Sequence, residues 1–354
     1  MMPNRRRTRW AGRLAAGALV LAEAASAQAP ASFGPAPRDP SGRFLNLAGE
    51  LPRAGVGVVL PFQLRRIASS IAGRPGAPQR VANDGAFLRE NARHSVPTAT
   101  WIGHSTLLVQ MGGVSFLTDP IWSATASPIS WLGPRRFTPP GLELEALPPI
   151  DFVLISHSHY DHLDLPTLLR VARRDPGTRF LVPLGTAALL REAGLERVEE
   201  FDWGQGTQAG RVEITCVPSQ HWSQRSLFDA RRSLWCAWVV RSPERTFYFM
   251  GDSGWYPGFA DVGRAFGPID LAAVAIGAYQ PSAMMRPHHV DPEEAVRAGQ
   301  ALAARRLVAM HFGTFDLSDE PLDEPPARFR AAAAQAGYAE SDAWLLRIGE
   351  TRDF

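Results

Sequence analysis

The segment LISHSHYDHLD, residues 154–164, places three histidines and two aspartates directly behind an apolar run. Side chains alternate along an extended strand, so His157 and His159 point the same way and can bind one cation. Asp161 and His162, one turn later, can serve a second cation beside it. Four ionisable groups straight after a buried strand need partners that offset their desolvation. Imidazole with carboxylate suits zinc, which takes about four ligands of this kind; iron and manganese tolerate similar donors.

Further donors stand at equivalent places. His221 follows VEITCVPSQ, Asp252 follows TFYFMG, and His311 closes RLVAM. Each lies at the C-terminal end of a strand-like run, where active-site groups of sheet proteins gather. Taken singly, His221 or His311 reads as an ordinary histidine; beside HxHxDH both read as ligands. His289, in HHVDPEEAV, is a candidate to contact substrate or protonate a leaving oxygen, weighed evenly against a solvated loop histidine, and its neighbour His288 reads as surface. His104 is a candidate to orient a ligand or touch substrate, with plain backbone hydrogen bonding slightly favoured. Asp119 reads as pinning a turn or a ligand histidine. Asp164 reads as a helix cap rather than a ligand. Trp122, Trp131, Trp222, Trp255 and Tyr279 fall in loops, where aromatic rings suit either a site mouth that accepts acyl chains or ordinary packing.

The elements that must hold these groups begin at residue 98. Short β-rich runs end in turn residues: TATWIG, STLLVQM, VSFLTD, DFVLIS, RFLVP, VEITCVP, WCAWVV, TFYFMG, LAAVAIG, RLVAMH and AWLLRI. Helical patterns lie near 164–174, 185–194, 292–305 and 326–336. Asp164 and Asp291 are placed as N-caps, with Pro166 and Pro292 in the first turns. An early β-meander followed by mixed elements is an α+β pattern.

The chain has 354 residues, 45% of them hydrophobic, enough for a sizeable core. Residues 96–354 read as the catalytic domain. Residues 28–95, rich in Pro, Gly, Ala and Arg, read as a leader wrapped on it. Within the leader, 60–73 puts Leu64, Ile67, Ala68 and Ile71 on one helical face with Arg65 and Arg66 outside it. A short helix packed on its own domain is the favoured reading, and a membrane-surface helix the alternative. Residues 1–27 combine five arginines, an apolar stretch from Leu14 to Ala22 and ASA at 25–27, the pattern of a cleaved signal peptide. Export to the periplasm or the outer face of the membrane is therefore expected, with an N-terminal anchor or a cytoplasmic location as alternatives.

Removing 1–27 takes away five arginines and one glutamate, moving the formal charge from +2 to −2, which gives no support to a nucleic-acid partner. All 37 basic residues are arginine, so Schiff-base lysine chemistry and a Walker A loop are excluded. Cys216 and Cys236 lack a CxxC arrangement and read as buried free thiols, with a disulfide as the alternative. No feature specifies an oligomeric state.

The order HxHxDH, His, Asp, His resembles the metallo-β-lactamase superfamily. The resemblance implies a four-layer αβ/βα sandwich with the metal site between two β-sheets at the strand ends. It implies two zinc ions sharing a bridging water or hydroxide: His157, His159 and His221 on the first, Asp161, His162 and His311 on the second, and Asp252 bridging. More narrowly, NDGAFL, TWIGHSTLLVQ, FLTDPIWS, SPISWLGPRRFTPPG, ISHSHYDHLDLPTL, SQHWSQRSLFD, LWCAWVV, GDSGW, IGAYQP, HVDPEEAV and MHFGTF, in that order, are similar to the N-acylphosphatidylethanolamine phospholipase D branch. That branch implies hydrolysis of the distal phosphodiester of a membrane phospholipid to N-acylethanolamine and phosphatidic acid, with peripheral membrane contact. Asp161, Asp252 and His289 would then be the catalytic groups. A lactonase or small-molecule phosphodiesterase on the same site is the alternative. A non-catalytic module holding zinc for structure is disfavoured, because such sites are closed and usually cysteine-rich.

Overall fold

A computed structural model describes residues 33–52, 54–72, 78–129 and 133–354, with only the backbone for 67–72. The signal-peptide segment, Trp131 and the side chains of Ile67, Ala68 and Ile71 lie outside the described residues.

Helices α1 (Val56–Ala72) and α2 (Ala86–His94) precede two seven-stranded sheets. The first sheet opens as an antiparallel meander of β1 (Thr98–Gly103), β2 (Thr106–Met111) and β3 (Val114–Thr118). It continues in parallel through β4 (Phe152–Leu154), β5 (Arg179–Pro183) and β6 (Val198–Phe201). Parallel neighbours need a crossover, supplied here by α3 (Leu165–Arg174) and α4 (Ala187–Glu192). The second sheet repeats the plan. Antiparallel β7 (Gly206–Ala209), β8 (Val212–Val217), β9 (Ala237–Arg241) and β10 (Thr246–Phe249) lead into parallel β11 (Leu271–Ala275), β12 (Leu307–Met310) and β13 (Ala343–Trp344). Its crossovers carry α5 (Gly258–Phe266), α6 (Ser282–Met285), α7 (Pro292–Ala301) and α8 (Glu324–Gln335). Finally β14 (Thr351–Asp353) returns to pair antiparallel with β1.

Alternation along the first sheet explains its continuous apolar runs. Trp101, Val109, Phe116 and Phe152 join the core shared with the second sheet, while Ile102, Leu108, Leu117 and Val153 pack with Leu88, Leu168 and Leu190 of the helices. A strand buried on both faces cannot show a polar side. The Phe116 ring stacks on Phe152 at 4.7 Å and meets Phe247 of the second sheet at 5.8 Å. Phe259, Ala295 and Phe329 bring α5, α7 and α8 onto the second sheet's core. The α+β sandwich is thus the architecture the resemblance implied.

Local differences from the sequence reading have physical causes. β6 (VEEF), β7 (GTQA) and β14 (TRD) are strands whose composition carries no apolar run, formed because a neighbouring strand offers its edge. Asp164 does occupy the N-cap of α3, but its carboxylate accepts from the Thr167 and Ser123 hydroxyls at 2.5 and 2.8 Å instead of from a helix N–H. Asp291 forms a full capping box with Glu294 at α7. Helix α1 packs on its own domain through buried Phe62 and through Arg66, which pairs with Asp316 and Asp319 at 2.6 and 3.1 Å. Cys216 and Cys236 are buried and free.

Candidate metal centre

The strands end together at one rim of the sandwich. His157, His159, Asp161 and His162 lie in the turn after β4; His221, Asp252 and His311 follow β8, β10 and β12 of the other sheet. His104 and Asp119 follow β1 and β3. Gly251, with φ +60, makes the approach of the two rims feasible, because a Cβ there would stand 2.5 Å from Ser156 Cβ. His104, Asp119 and His311 also hold positive φ, at 52°, 33° and 62°, backbone strain of the kind that accumulates at functional sites.

Two groups of donor atoms result. His157 Nε2 lies 2.8 Å and His221 Nε2 3.2 Å from His159 Nδ1. Beside them, His162 Nε2 is 3.2 Å from His311 Nε2 and 3.3 Å from Asp161 Oδ2. Asp252 spans both groups. Its Oδ2 is 3.1 Å from His162, 3.8 Å from His221 and 3.9 Å from His157, while Oδ1 is 3.2 Å from His311.

Three of the rings have the far nitrogen committed elsewhere, which fixes the direction in which each of them points. His162 Nδ1 meets Asp119 Oδ2 at 2.6 Å. Asp119 also accepts from the Ser156 backbone N–H and hydroxyl at 2.7 and 2.5 Å, and Ser156 Oγ meets His157 Nδ1 at 2.9 Å. His221 Nδ1 donates to the His288 carbonyl at 2.9 Å.

Electrostatics test whether a cation fits. Burial drives His157 and His221 well below the usual imidazole range and His159 to about 4, so these rings are neutral bases with lone pairs to give. Burial also opposes a proton on His311, yet Asp252 and Asp161 outweigh it and raise the group to about 9. His162 is raised for the same reason. Desolvation works against the charged forms of Asp161 and Asp252, but the surrounding histidines keep both well below the carboxylate range. Half-buried Asp161 and buried Asp252, whose ion-pair partners are all histidines, make a site that calls for positive charge. Asp252 Oδ1 and His159 Nε2 are buried without a hydrogen-bond partner. The donor set fits hard-to-borderline divalent cations.

The sequence matches the beta-lactamase superfamily domain over residues 115–312. The chain belongs to the beta-lactamase superfamily. An N-acyl-phosphatidylethanolamine-hydrolyzing phospholipase D of Caenorhabditis elegans is 41% identical over 229 residues, 62% of this chain, which spans 64% of that relative's length. An uncharacterized protein of Mycobacterium tuberculosis is 39% identical over 88% of this chain and 83% of its own length. A solved metallo hydrolase of Ignicoccus hospitalis superposes with TM-score 0.55 at 23% identity, over 73% of this chain and 98% of that one. This superfamily member is a metal-dependent hydrolase.

Among the expected site residues, all seven candidate ligands come together at this rim, and His289 joins them with Nδ1 3.7 Å from Asp252 Oδ2. His104 does more than bond to backbone: its Nε2 meets Asp161 Oδ2 at 3.0 Å, and burial with repulsion from His311 lowers it to about 3. Tyr279 is a correction. It is 2% exposed and its hydroxyl donates to Glu324 at 2.7 Å, so it neither touches the cluster nor lines the cavity above it. His288 is the opposite correction, lining that cavity and buried enough to fall to about 4. Trp122 and Trp255 pack into cores; Trp222 alone of the described loop tryptophans lines the cavity.

Two positioning groups had no sequence signal. Arg225 Nη1 donates to the Ser158 and Leu163 carbonyls at 2.9 and 2.8 Å, bracketing the HxHxDH turn, with its guanidinium 3.9 Å from the Tyr160 ring centre. Asn46, in the leader, grips His221. Both act largely through backbone atoms, which residue spacing does not reveal.

Proposed function

We propose that this hydrolase is a phosphodiesterase of phospholipase D type that carries two zinc ions and cleaves N-acylphosphatidylethanolamine into phosphatidic acid and N-acylethanolamine. The observation that carries the reading is a cavity of about 640 Å³ whose floor is His159, His221 and His289 and whose walls include Leu45, Leu51, Val59, Met284 and Met285. A polar, metal-binding floor and apolar walls suit a substrate with a charged reacting group and a long apolar part. The C. elegans relative's activity supports the same substrate.

A pair of divalent ions held by these residues would supply a water acidified toward neutrality and would absorb charge on the phosphoryl oxygens. Asp252, facing both donor groups, sets their separation. Asp161, held by His104, orients the second group. His289 stands over Asp252 at the cavity floor; burial lowers it to about 4, so the neutral ring is placed to hydrogen-bond the phosphate or the departing ethanolamine oxygen.

Access from a bilayer is part of the reading. Leu227 and Phe228, 86% and 80% exposed, form the tip of a loop whose Gln224 and Ala230 line the cavity. Val56, Leu60 and Leu64 form an exposed stripe on α1, beside cavity residues Val59 and Gln63. No helix among the described residues is long and apolar enough to cross a membrane. Export through residues 1–27 would present this face to the outer leaflet or periplasm.

The test is incubation of metal-loaded protein with vesicles of mixed N-acylated and plain phosphatidylethanolamine, with mass spectrometry of the products. Phosphatidic acid plus N-acylethanolamine, lost on chelation and restored by zinc, is expected. Intact lipids from a fully loaded protein would overturn the substrate and move the search to lactones and small phosphodiesters.

A further inference from the structure

Among the described residues, the leader hydrogen-bonds a candidate ligand through Asn46, and the contact is bidentate. Asn46 is 5% exposed; its Nδ2 donates to the His221 carbonyl at 2.9 Å and its Oδ1 accepts the His221 backbone N–H at 3.0 Å. The same Oδ1 accepts the Trp235 indole N–H at 2.9 Å. One side chain therefore fixes both backbone polar groups of a candidate ligand and ties them to the start of β9.

Its neighbours extend the grip along the loop that links His221 to Trp235. Phe44 N donates to the Arg231 carbonyl at 2.9 Å and Arg43 Nη1 to the Ala230 carbonyl at 2.5 Å. Phe44 is 1% exposed, and the Arg38 guanidinium lies 3.7 Å from its ring centre. The Gly49 N–H closes a turn on the Asn46 carbonyl at 2.8 Å. Residues 43–46 are a strap over this loop, and they lie outside the matched domain at 115–312.

We propose that Asn46 is a positioning residue for His221, and that the strap it belongs to completes the metal centre from outside the superfamily domain. A ring that must meet His159 Nδ1 and Asp252 Oδ2 simultaneously tolerates little drift of its backbone. The His288 carbonyl fixes how the ring turns; Asn46 fixes where its Cα stands. Removing the amide leaves a buried N–H and C=O unpartnered, so the loop must shift to find water. The proposal rests on the reading of this cluster as a metal centre and is independent of the substrate.

The experiment is cobalt(II) and zinc titration of full-length protein by chelator competition, with the visible spectrum of the cobalt form recorded for wild type, Asn46→Ala, Asn46→Asp and Arg38→Ala. Asn46→Ala should bind the tighter ion roughly 10–100-fold more weakly and alter the cobalt spectrum, as loss of an outer hydrogen bond to a ligand does. Asn46→Asp retains both accepted bonds and should recover part of the affinity. Arg38 is exposed and touches the Phe44 ring but makes none of the strap's hydrogen bonds to the His221 loop, so Arg38→Ala should bind as wild type does. Equal affinity in Asn46→Ala, or an equal loss in Arg38→Ala, would overturn the inference. Failure of wild type itself to bind either ion would instead overturn the metal-centre reading.

Discussion

Asp119 and His162 meet at 2.6 Å with both side chains fully buried, and the same carboxylate reaches His157 through the Ser156 hydroxyl. One carboxylate thereby aims a ring in each donor group. Asp119→Asn keeps the shape but loses the charge that holds the His162 Nδ1 proton. Metal affinity should fall roughly 10–100-fold, read by chelator competition, and unchanged affinity would show that the ring is held by packing alone.

Substitution within the cluster should separate loading from folding. His159→Ala removes one nitrogen from the first group, and Asp161→Asn removes a charge from the second. Each should lower turnover by roughly a thousandfold or more with an unchanged far-ultraviolet dichroism spectrum. Full activity in a sample analysed for metal would refute the two-group assignment.

Chelation should destabilise the protein. Candidate ligands arrive from both sheets, and half-buried Asp161 and buried Asp252 are anions whose ion-pair partners are histidines. At a free-ion concentration a hundred times the dissociation constant, loading adds about 2.7 kcal/mol to stability. Calorimetry with and without chelator should show a higher melting temperature for the loaded form, and superimposed curves would contradict it.

Arg225→Ala should weaken metal loading as well, by freeing the Ser158 and Leu163 carbonyls that bracket the turn. Lysine should rescue poorly, since it offers neither the planar fork nor the stacking on Tyr160. Equal loading in the lysine variant would assign the effect to charge alone.

Tyr279→Phe is the contrasting case. Its hydroxyl serves Glu324, not the cavity. The change should cost roughly 1–2 kcal/mol of stability and leave kcat/KM within about twofold. A large kinetic loss in a folded variant would restore Tyr279 to the site.

These contrasts trace how far the residues could be read before folding. HxHxDH, His221, Asp252 and His311 were legible because each ionisable group closes an apolar strand, and strand ends in such sandwiches converge. Strands β1 to β5 were legible because burial on both faces leaves continuous apolar runs. Asn46 and Arg225 were not, since an amide in a Pro- and Gly-rich segment and an arginine in a polar loop look solvated until the fold shows which carbonyls they meet. His288 was misread because its contribution comes from a backbone oxygen. Tyr279 was misread because loop position does not distinguish a ring facing the cavity from one facing α8.

The return of β14 to β1 has a consequence for biogenesis. β1 pairs with β2 on one side, and on the other its partner is Thr351–Asp353, about 250 residues later in the chain. At roughly 5–20 residues per second of synthesis, that edge stays bare for ~10–50 s on the ribosome. An unpaired edge strand is a template for wrong partners. The nascent first sheet therefore stays open to wrong partners until Thr351–Asp353 has been made.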